Sequence, residues 1–369
     1  NWTVRKDVRN VRVMNFKDYK NEWMTISGRN IGPEMGIGHY VGEVLDAPVL
    51  ILKSCIGNRS LGWDLLPPGS EPYQFKGKMI PGYRGTPDDP FGNGQKVEGR
   101  WYAGKQYDDD TDSAKQVLAN LQKYYPGATD YEIAGFFFWQ GAKDGGSEAH
   151  AQRYEFNLVN FINALRKDFE APEALFVVAT MGHGKKGGPG NAGTITDAQL
   201  AVDGDRGNYP QFEGNVATFY SNPVSKGGSA NGHYGGHAET YMNVGEGMGR
   251  AMAKLLVRRE QARELERKRR AEAEALAKAI EAGEKGTLVR MEREDYRMDP
   301  AKIAEVLQRL GASDPEKLGT ADRFLLQYFS KDWQSVQAFL ASLPENNAVK
   351  IYSRILSTVE PARKRPAPF

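Results

Sequence analysis

The apolar residues of this chain gather into a few short runs, and the sharpest of them ends abruptly. From Ile133 the sequence reads IAGFFFW, then turns at Gln140-Gly141 into a polar, glycine-rich stretch, AKDGG. A continuous apolar run of this length predicts a strand with both faces covered, as in a parallel sheet packed between helices. Ligands bind outside the carboxyl ends of such strands, which places Gln140, Gly141 and Asp144 at the rim of a crevice. The period then changes. In EAHAQRYEFNLVNFINALRKDF, the residues Tyr154, Leu158, Phe161, Ile162 and Leu165 recur at spacings of three and four, as on the apolar face of a helix. ALFVVATMG follows as a second strand and completes a strand, helix, strand unit of the α/β class.

Other regions lack that order. Leu66 to Asp112 holds six prolines and many glycines, so it reads as a long excursion over the sheet edge. Its Tyr73, Tyr83, Phe91, Trp101 and Tyr102 either offer a stacking surface for sugars or pin the loop. The acidic run Asp108 to Asp110, with Asp112, reads as preceding a helix, SAKQVLANLQKYY, whose N-terminus favours negative charge; a calcium site is a second reading of the same run. From about Gly245 a helix begins as core-facing GMGRAMAKLL. It continues to Gly283 as a charged extension with only Leu265, Leu276 and Ile280 to bury, held by opposite charges three and four apart. Between Asp299 and Glu360, four short amphipathic segments predict a small helical module; DPAKIAEVLQRLG opens on an Asp-Pro cap and closes on Gly311. The domain boundaries expected are 1–256, a helical linker 257–298, the module 299–360 and a disordered tail 361–369.

Composition narrows the function classes. With 49 basic and 47 acidic side chains the net charge is +2, which gives no pull towards nucleic acid. Cys55 is the single cysteine, so no internal disulfide forms. No run of about 20 apolar residues exists to span a membrane.

Four ordered blocks resemble the SGNH (GDSL-like) hydrolase superfamily in its sialate O-acetylesterase, or carbohydrate acetylesterase, branch. They are GPEMGIGHYVGEV, APVLILKSCIGNRSLGWDLLPP, the Trp-Gln-Gly block with its Tyr-containing helix ending in Leu165-Arg166, and NGHYGGHAETYMNVGEGMGRAMAKL. The resemblance covers roughly Asn1 to Leu256. It implies a three-layer α/β/α SGNH-type sandwich with a parallel sheet, and removal of O-acetyl groups from a carbohydrate through an acyl-serine intermediate. No metal and no organic cofactor is implied, and a periplasmic or secreted location is suggested. In the resemblance His233 is the general base, histidine being the side chain whose charge changes near neutral pH. Gly57 and Gln140 are the oxyanion donors, and Asn58, Arg59 and Asp144 are the substrate-binding candidates. Asp144 has a second reading as a residue that shapes the turn, and Arg59 as a salt-bridge partner. His237, four residues beyond His233 on a glycine-broken loop, is not expected to share a metal with it.

Two departures matter. The family's nucleophile sits after its first strand in Gly-Asp-Ser or Gly-Gln-Ser-Asn, and neither occurs here; Ser27, in MTISGRN, follows no apolar strand of that kind. Because WTVRKDVRNVRVMNF resembles the segment that follows the nucleophile block, the expectation is a chain lacking that block, with an exposed sheet edge as the consequence. The alternative is a non-catalytic carbohydrate-binding or scaffold protein that keeps the fold. The second departure is the triad acid: the position three before His233 is Ala230, leaving Asn231, Glu34 and Glu239 as candidates. The C-terminal module shows no catalytic residues, and a protein partner is its expected role.

Overall fold

The computed structural model describes residues 3–26 and 30–281. Strands β1 (Arg5–Met14) and β2 (Lys17–Met24) form an antiparallel hairpin, turned by Asn15 and Phe16 with φ of 47° and 62°. A two-residue turn with positive φ at both positions matches strand twist and enforces antiparallel pairing. Helix α1 (Glu34–Val44) leads to β3 (Val49–Ser54), which runs parallel to β1 with Val49 opposite Val8. A small hairpin, β4 (Tyr73–Phe75) and β5 (Lys78–Ile80), and helices α2 (Lys105–Ala119) and α3 (Leu121–Tyr124) come next. The rest alternates: β6 (Gly135–Phe138), α4 (Glu148–Asp168), β7 (Leu175–Ala179), α5 (Gly190–Ala201), β8 (Val216–Phe219) and α6 (Ala238–Glu281). The order β6-β7-β8 is parallel throughout.

Alternation along the strands builds the layers. Phe138, Phe176, Val178 and Val216 face α4 and α5 through Tyr154, Leu158, Ile162 and Ile195. Their neighbours Leu175, Val177 and Ala179 face the other way, onto Ile37 and Val41 of α1 and Met248 and Met252 of α6. The α/β fold of the SGNH type is thus present, with the sheet between two helical layers.

That sheet is in two pieces. One three-stranded sheet has the order β2-β1-β3 and the other β6-β7-β8, and β3 and β6 are their facing edges. A cleft of about 2570 Å³ is lined by both edges and by residues of α1, α2 and α6. Its effect is visible in burial: all five residues of β7 are buried, whereas only Val49 of β3 and only Phe138 of β6 are. The expectation for IAGFFFW therefore needs correction. Helices cover both of its faces, yet Gly135, Phe136 and Phe137 stay half-buried, because among the described residues β6 has a hydrogen-bonded neighbour on one side only.

Helix α2 also starts earlier than its sequence suggests and takes in the acidic run. Asp108 is buried and accepts hydrogen bonds from Tyr102 Oη at 2.8 Å, from Tyr83 Oη and from Arg84 Nε at 3.2 Å. Asp109 pairs with Lys105 at 2.7 Å and Asp112 with Lys96 at 2.5 Å. The carboxylates diverge towards separate partners, which leaves the calcium reading without a ligand set. Three of the loop aromatics are pins: Tyr73, Tyr83 and Tyr102 spend their hydroxyls on Ala149 O and Asp108, while Phe91 and Trp101 stay exposed.

The compact unit holding the sheets extends to Ala262, and Arg263 begins a second. Within the second unit, Glu264 meets Arg267 at 3.1 Å and Lys268 at 3.4 Å, and Arg270 meets Glu274 at 3.0 Å, the expected spacing for a solvated helix. The helical module 299–360, the tail 361–369, most of the linker's end and Ser27 lie outside the described residues.

Candidate active site

The turn after β6 is built around two buried groups. Asp144 is 0% exposed, and its carboxylate accepts from Leu61 N at 2.9 Å, Gly62 N at 2.8 Å and Gln140 Nε2 at 2.6 Å. Burial pushes the Asp144 carboxyl up from its ordinary range, against these donors, and pushes the neighbouring His150 imidazole down. His150 packs so closely on Gly62 that a Cβ there would lie 2.5 Å from its ring. Asp144 thus ties the segment after β3 to the segment after β6.

Gln140 is gripped at its side-chain amide and at its backbone carbonyl. Its amide donates to Arg59 O at 2.7 Å as well as to Asp144, and its Oε1 accepts from Tyr154 Oη at 3.0 Å. Its backbone carbonyl accepts from Gln199 Nε2 at 2.5 Å and Tyr154 Oη at 2.9 Å. Gly141 then adopts φ +151°, where a Cβ would sit 3.0 Å from Ile195 and Met181, so only glycine fits. Both amide N–H groups face protein acceptors; donation to a ligand means sharing or releasing the bond to Arg59 O.

The His233 side is built differently. His233, Tyr234, Gly235 and Gly236 have φ of 49°, 51°, 59° and 74°, four successive left-handed residues. Two of them carry side chains, a conformation that costs about 1–2 kcal/mol per residue. Tyr234 anchors the turn: it is 2% exposed, its hydroxyl accepts from Gly182 N at 3.1 Å, and its ring stacks on Trp139 at 5.8 Å and 13°. Trp139 in turn donates to Thr180 O at 3.1 Å. His233 itself is exposed and makes no hydrogen bond with the described residues. His237 belongs to a separate contact, with Thr240 Oγ1 at 2.9 Å and Glu239 at 3.7 Å.

Gly57, Asn58, Arg59, Gln140 and His233 all line the same cleft, at the end where the segments following β3 and β6 open. Gly57 is exposed and its N–H makes no hydrogen bond with the described residues, so it is available as a donor. Asn58 holds a left-handed φ of 59°. Arg59 stacks on Trp101 at 4.7 Å and donates to the neutral Gln106 Oε1 at 3.2 Å, in place of the salt bridge its charge suggests. Of the acid candidates, Glu34 is ion-paired with Lys53 and Glu239 stands by His237; neither is bonded to His233. Nothing is described for the side chain of Asn231. The serines on the cleft wall are engaged elsewhere: Ser54 Oγ donates to Asp110 O at 2.7 Å, Ser60 Oγ to Asp64 at 3.1 Å, and Ser147 Oγ accepts from His150 N at 3.3 Å.

Three residues of the site escape the sequence reading. Asp110 is a nearly buried carboxyl on the cleft wall, pushed up to about 7 by burial, with Gln106 Nε2 donating to it at 2.8 Å. Trp139 and Tyr234 form the stack just described. The only sequence signal for the stack is adjacency, since each ring is the chain neighbour of a candidate residue.

Residues 92–213 match the family described as carbohydrate esterase, sialic acid-specific acetylesterase. Gln140 and Asp144 fall inside that match, and Gly57, Asn58, Arg59 and His233 outside it. An X-ray structure of a protein from Arabidopsis thaliana is similar at 14% identity with a TM-score of 0.43, over 68% of this chain and 82% of that one. No curated protein matches the chain in sequence.

Proposed function

We propose that this chain, whose residues 92–213 match the carbohydrate esterase family of sialic acid-specific acetylesterases, hydrolyses O-acetyl esters on a carbohydrate. The observation that carries the reading is convergence: Gly57, Gln140 and His233 come from three distant parts of the chain and line one end of one cleft.

The chemistry assigned to them is acyl transfer to a serine that is not found at this site among the described residues. The serine Oγ attacks the acetyl carbonyl while His233 removes its proton; the C–O bond to the sugar breaks and the sugar oxygen takes that proton from His233. Water then attacks the acetyl-serine with His233 again as base, releasing acetate and restoring the serine. Negative charge developing on the carbonyl oxygen is met by Gly57 N–H and by the Gln140 amide, which turns one N–H from Arg59 O to the oxyanion. Asp144 is a positioning residue in this scheme, since it contacts Gln140 and no open surface. Asn58, Arg59 and the exposed ring of Trp101 are offered as the sugar-facing wall.

The reading is tested by supplying the serine. Acetate release from O-acetylated sialic acid and from acetylated xylan is measured after adding a serine-bearing strand to the protein. Activity is expected, lost with His233→Ala and reduced about 10²- to 10³-fold in kcat with Gln140→Ala. Sugar binding by NMR without acetate release would favour the second reading, a carbohydrate-binding protein of the same fold. That reading draws its support from the cleft-wall serines, each of which is bonded away from His233.

A further inference from the structure

We propose that Asp110, Arg59 and the buried Gln106 between them form a polar subsite on the cleft wall, which binds acceptor oxygens of a sugar ring with Asp110 as a hydrogen-bond donor. One amide links the three. Gln106 is 0% exposed; its Oε1 accepts from Arg59 Nε at 3.2 Å, and its Nε2 donates to Asp110 Oδ1 at 2.8 Å. Ser54 Oγ, at the end of β3, donates to Asp110 O at 2.7 Å and holds this turn of α2 against the segment that carries Gly57 and Arg59. Asp110 thus stands beside the candidate site residues, although it comes from another part of the chain.

The same amide decides what each carboxyl oxygen does. Asp110 is 9% exposed and lines the cleft, as Arg59 does. Oδ1 is occupied by the Gln106 N–H, whereas Oδ2 makes no hydrogen bond with the described residues and is not sealed off from the cleft. Burial keeps the carboxyl neutral up to about 7. Because Oδ1 accepts an N–H, the proton of the neutral acid sits on Oδ2, towards the cleft. A carboxylic acid held neutral in this way donates a hydrogen bond. Arg59, at the other end of Gln106, carries donors only. Two donors side by side suit the lone pairs of ring and glycosidic oxygens. The exposed ring of Trp101, on which Arg59 stacks at 4.7 Å, offers a flat apolar face next to them. That the ligand is a sugar rests on the esterase reading, whereas the donor pair stands without it.

The charged surroundings leave one pH slope to read. On α2 itself, Asp109, tied to Lys105 at 2.7 Å, pushes Asp110 up further, and Arg59 opposes it. From the β3 side Cys55 faces Asp110, while Lys53 and Glu34 are paired with each other. His150 and His233 line the same cleft. Asp110→Asn leaves both histidines in place, so any slope that survives this substitution belongs to them.

The test is binding of O-acetylated xylotriose to the full chain, followed by NMR titration at about pH 6 and about pH 8. The dissociation constant should rise about tenfold between the two, as Oδ2 loses its proton and with it the donated bond. In Asp110→Asn an amide replaces the neutral acid, with its oxygen towards Gln106 and its N–H groups towards the cleft. This variant should bind at about pH 8 as tightly as the unaltered protein binds at about pH 6. Arg59→Met should weaken binding several-fold at both values and move the midpoint of the pH curve upwards, because Arg59 holds the Asp110 carboxyl down. The subsite is overturned if binding is equal at both pH values, if Asp110→Asn follows the unaltered curve, or if the sugar binds at neither. Acetate release, measured separately with the serine supplied, keeps the two readings apart. Release together with binding that ignores Asp110 retains the esterase and removes the subsite; binding that depends on Asp110 without release does the reverse.

Discussion

The two sides of the site are held by opposite means. On the Gln140 side a buried carboxylate gathers three N–H groups, and both polar atoms of the glutamine side chain are bonded within the protein. On the His233 side a run of left-handed residues leaves the imidazole exposed and without a hydrogen bond to the described residues, with one buried ring as the anchor of the turn. The difference fits the roles proposed for the two groups. A hydrogen-bond donor for a developing charge works best when fixed in advance. A base that takes and returns a proton needs access to the reacting atoms, and the strained turn keeps it at the surface.

The contrast is open to test by substitution. Asp144→Ala should have the largest effect, a loss of about 3–5 kcal/mol in urea unfolding, because it strands two buried backbone donors and frees the Gln140 amide. A loss below about 1 kcal/mol would mean that the Gln140 side is no more tightly held than the other.

Next comes Asp110, on the cleft wall near Arg59. Its folded pKa of about 7 lies above the ordinary 3.8, so between these values the folded state keeps a proton that the unfolded chain has shed. Stability should therefore fall as pH rises from about 4 to about 7 and level off above, by a few kcal/mol in all. Burial is the main cause, Asp109 adds to it, and Gln106 and Arg59 oppose it. Asp110→Asn should flatten this slope and stabilise the protein above pH 7; an unchanged slope would assign the pH dependence to other groups.

The smallest change should come from His233→Gly. Glycine adopts the left-handed conformation freely, so removal of the base should leave stability unchanged or raise it by up to about 1 kcal/mol, while abolishing strand-supported acetate release. A clear destabilisation would show that the imidazole carries packing that its exposure conceals.

How much of this was legible in the sequence depends on whether the cause is local. The helix Glu148–Asp168 and strand Leu175–Ala179 follow from period and apolar content, and the stripe from Tyr154 to Leu165 packs as its spacing requires. The half-burial of Phe136 and Phe137 was not legible, because an apolar run reports what covers its faces and not whether a neighbour bonds each edge. The start of α2 was not legible for a related reason: Asp108 is tolerated inside a helix because Tyr83 and Arg84, some 25 residues away, and Tyr102, six residues away, converge on it from outside the helix. Polarity beside glycine placed Asp144 at a rim, while its three donors, two of them some eighty residues away, carry it inside. Gln140 and His233 were legible only through the blocks around them, and the Trp139–Tyr234 stack was hidden because no local pattern couples the two rings.

That stack gives the site a gauge. Gln140 and His233 each follow or precede one of the two rings by a single residue, and both rings are moored to the same short stretch after β7, Trp139 at Thr180 and Tyr234 at Gly182. The spacing of the two segments that carry the proposed donor and base is therefore set across two stacked rings, and among the described residues no hydrogen bond joins Gln140 to His233.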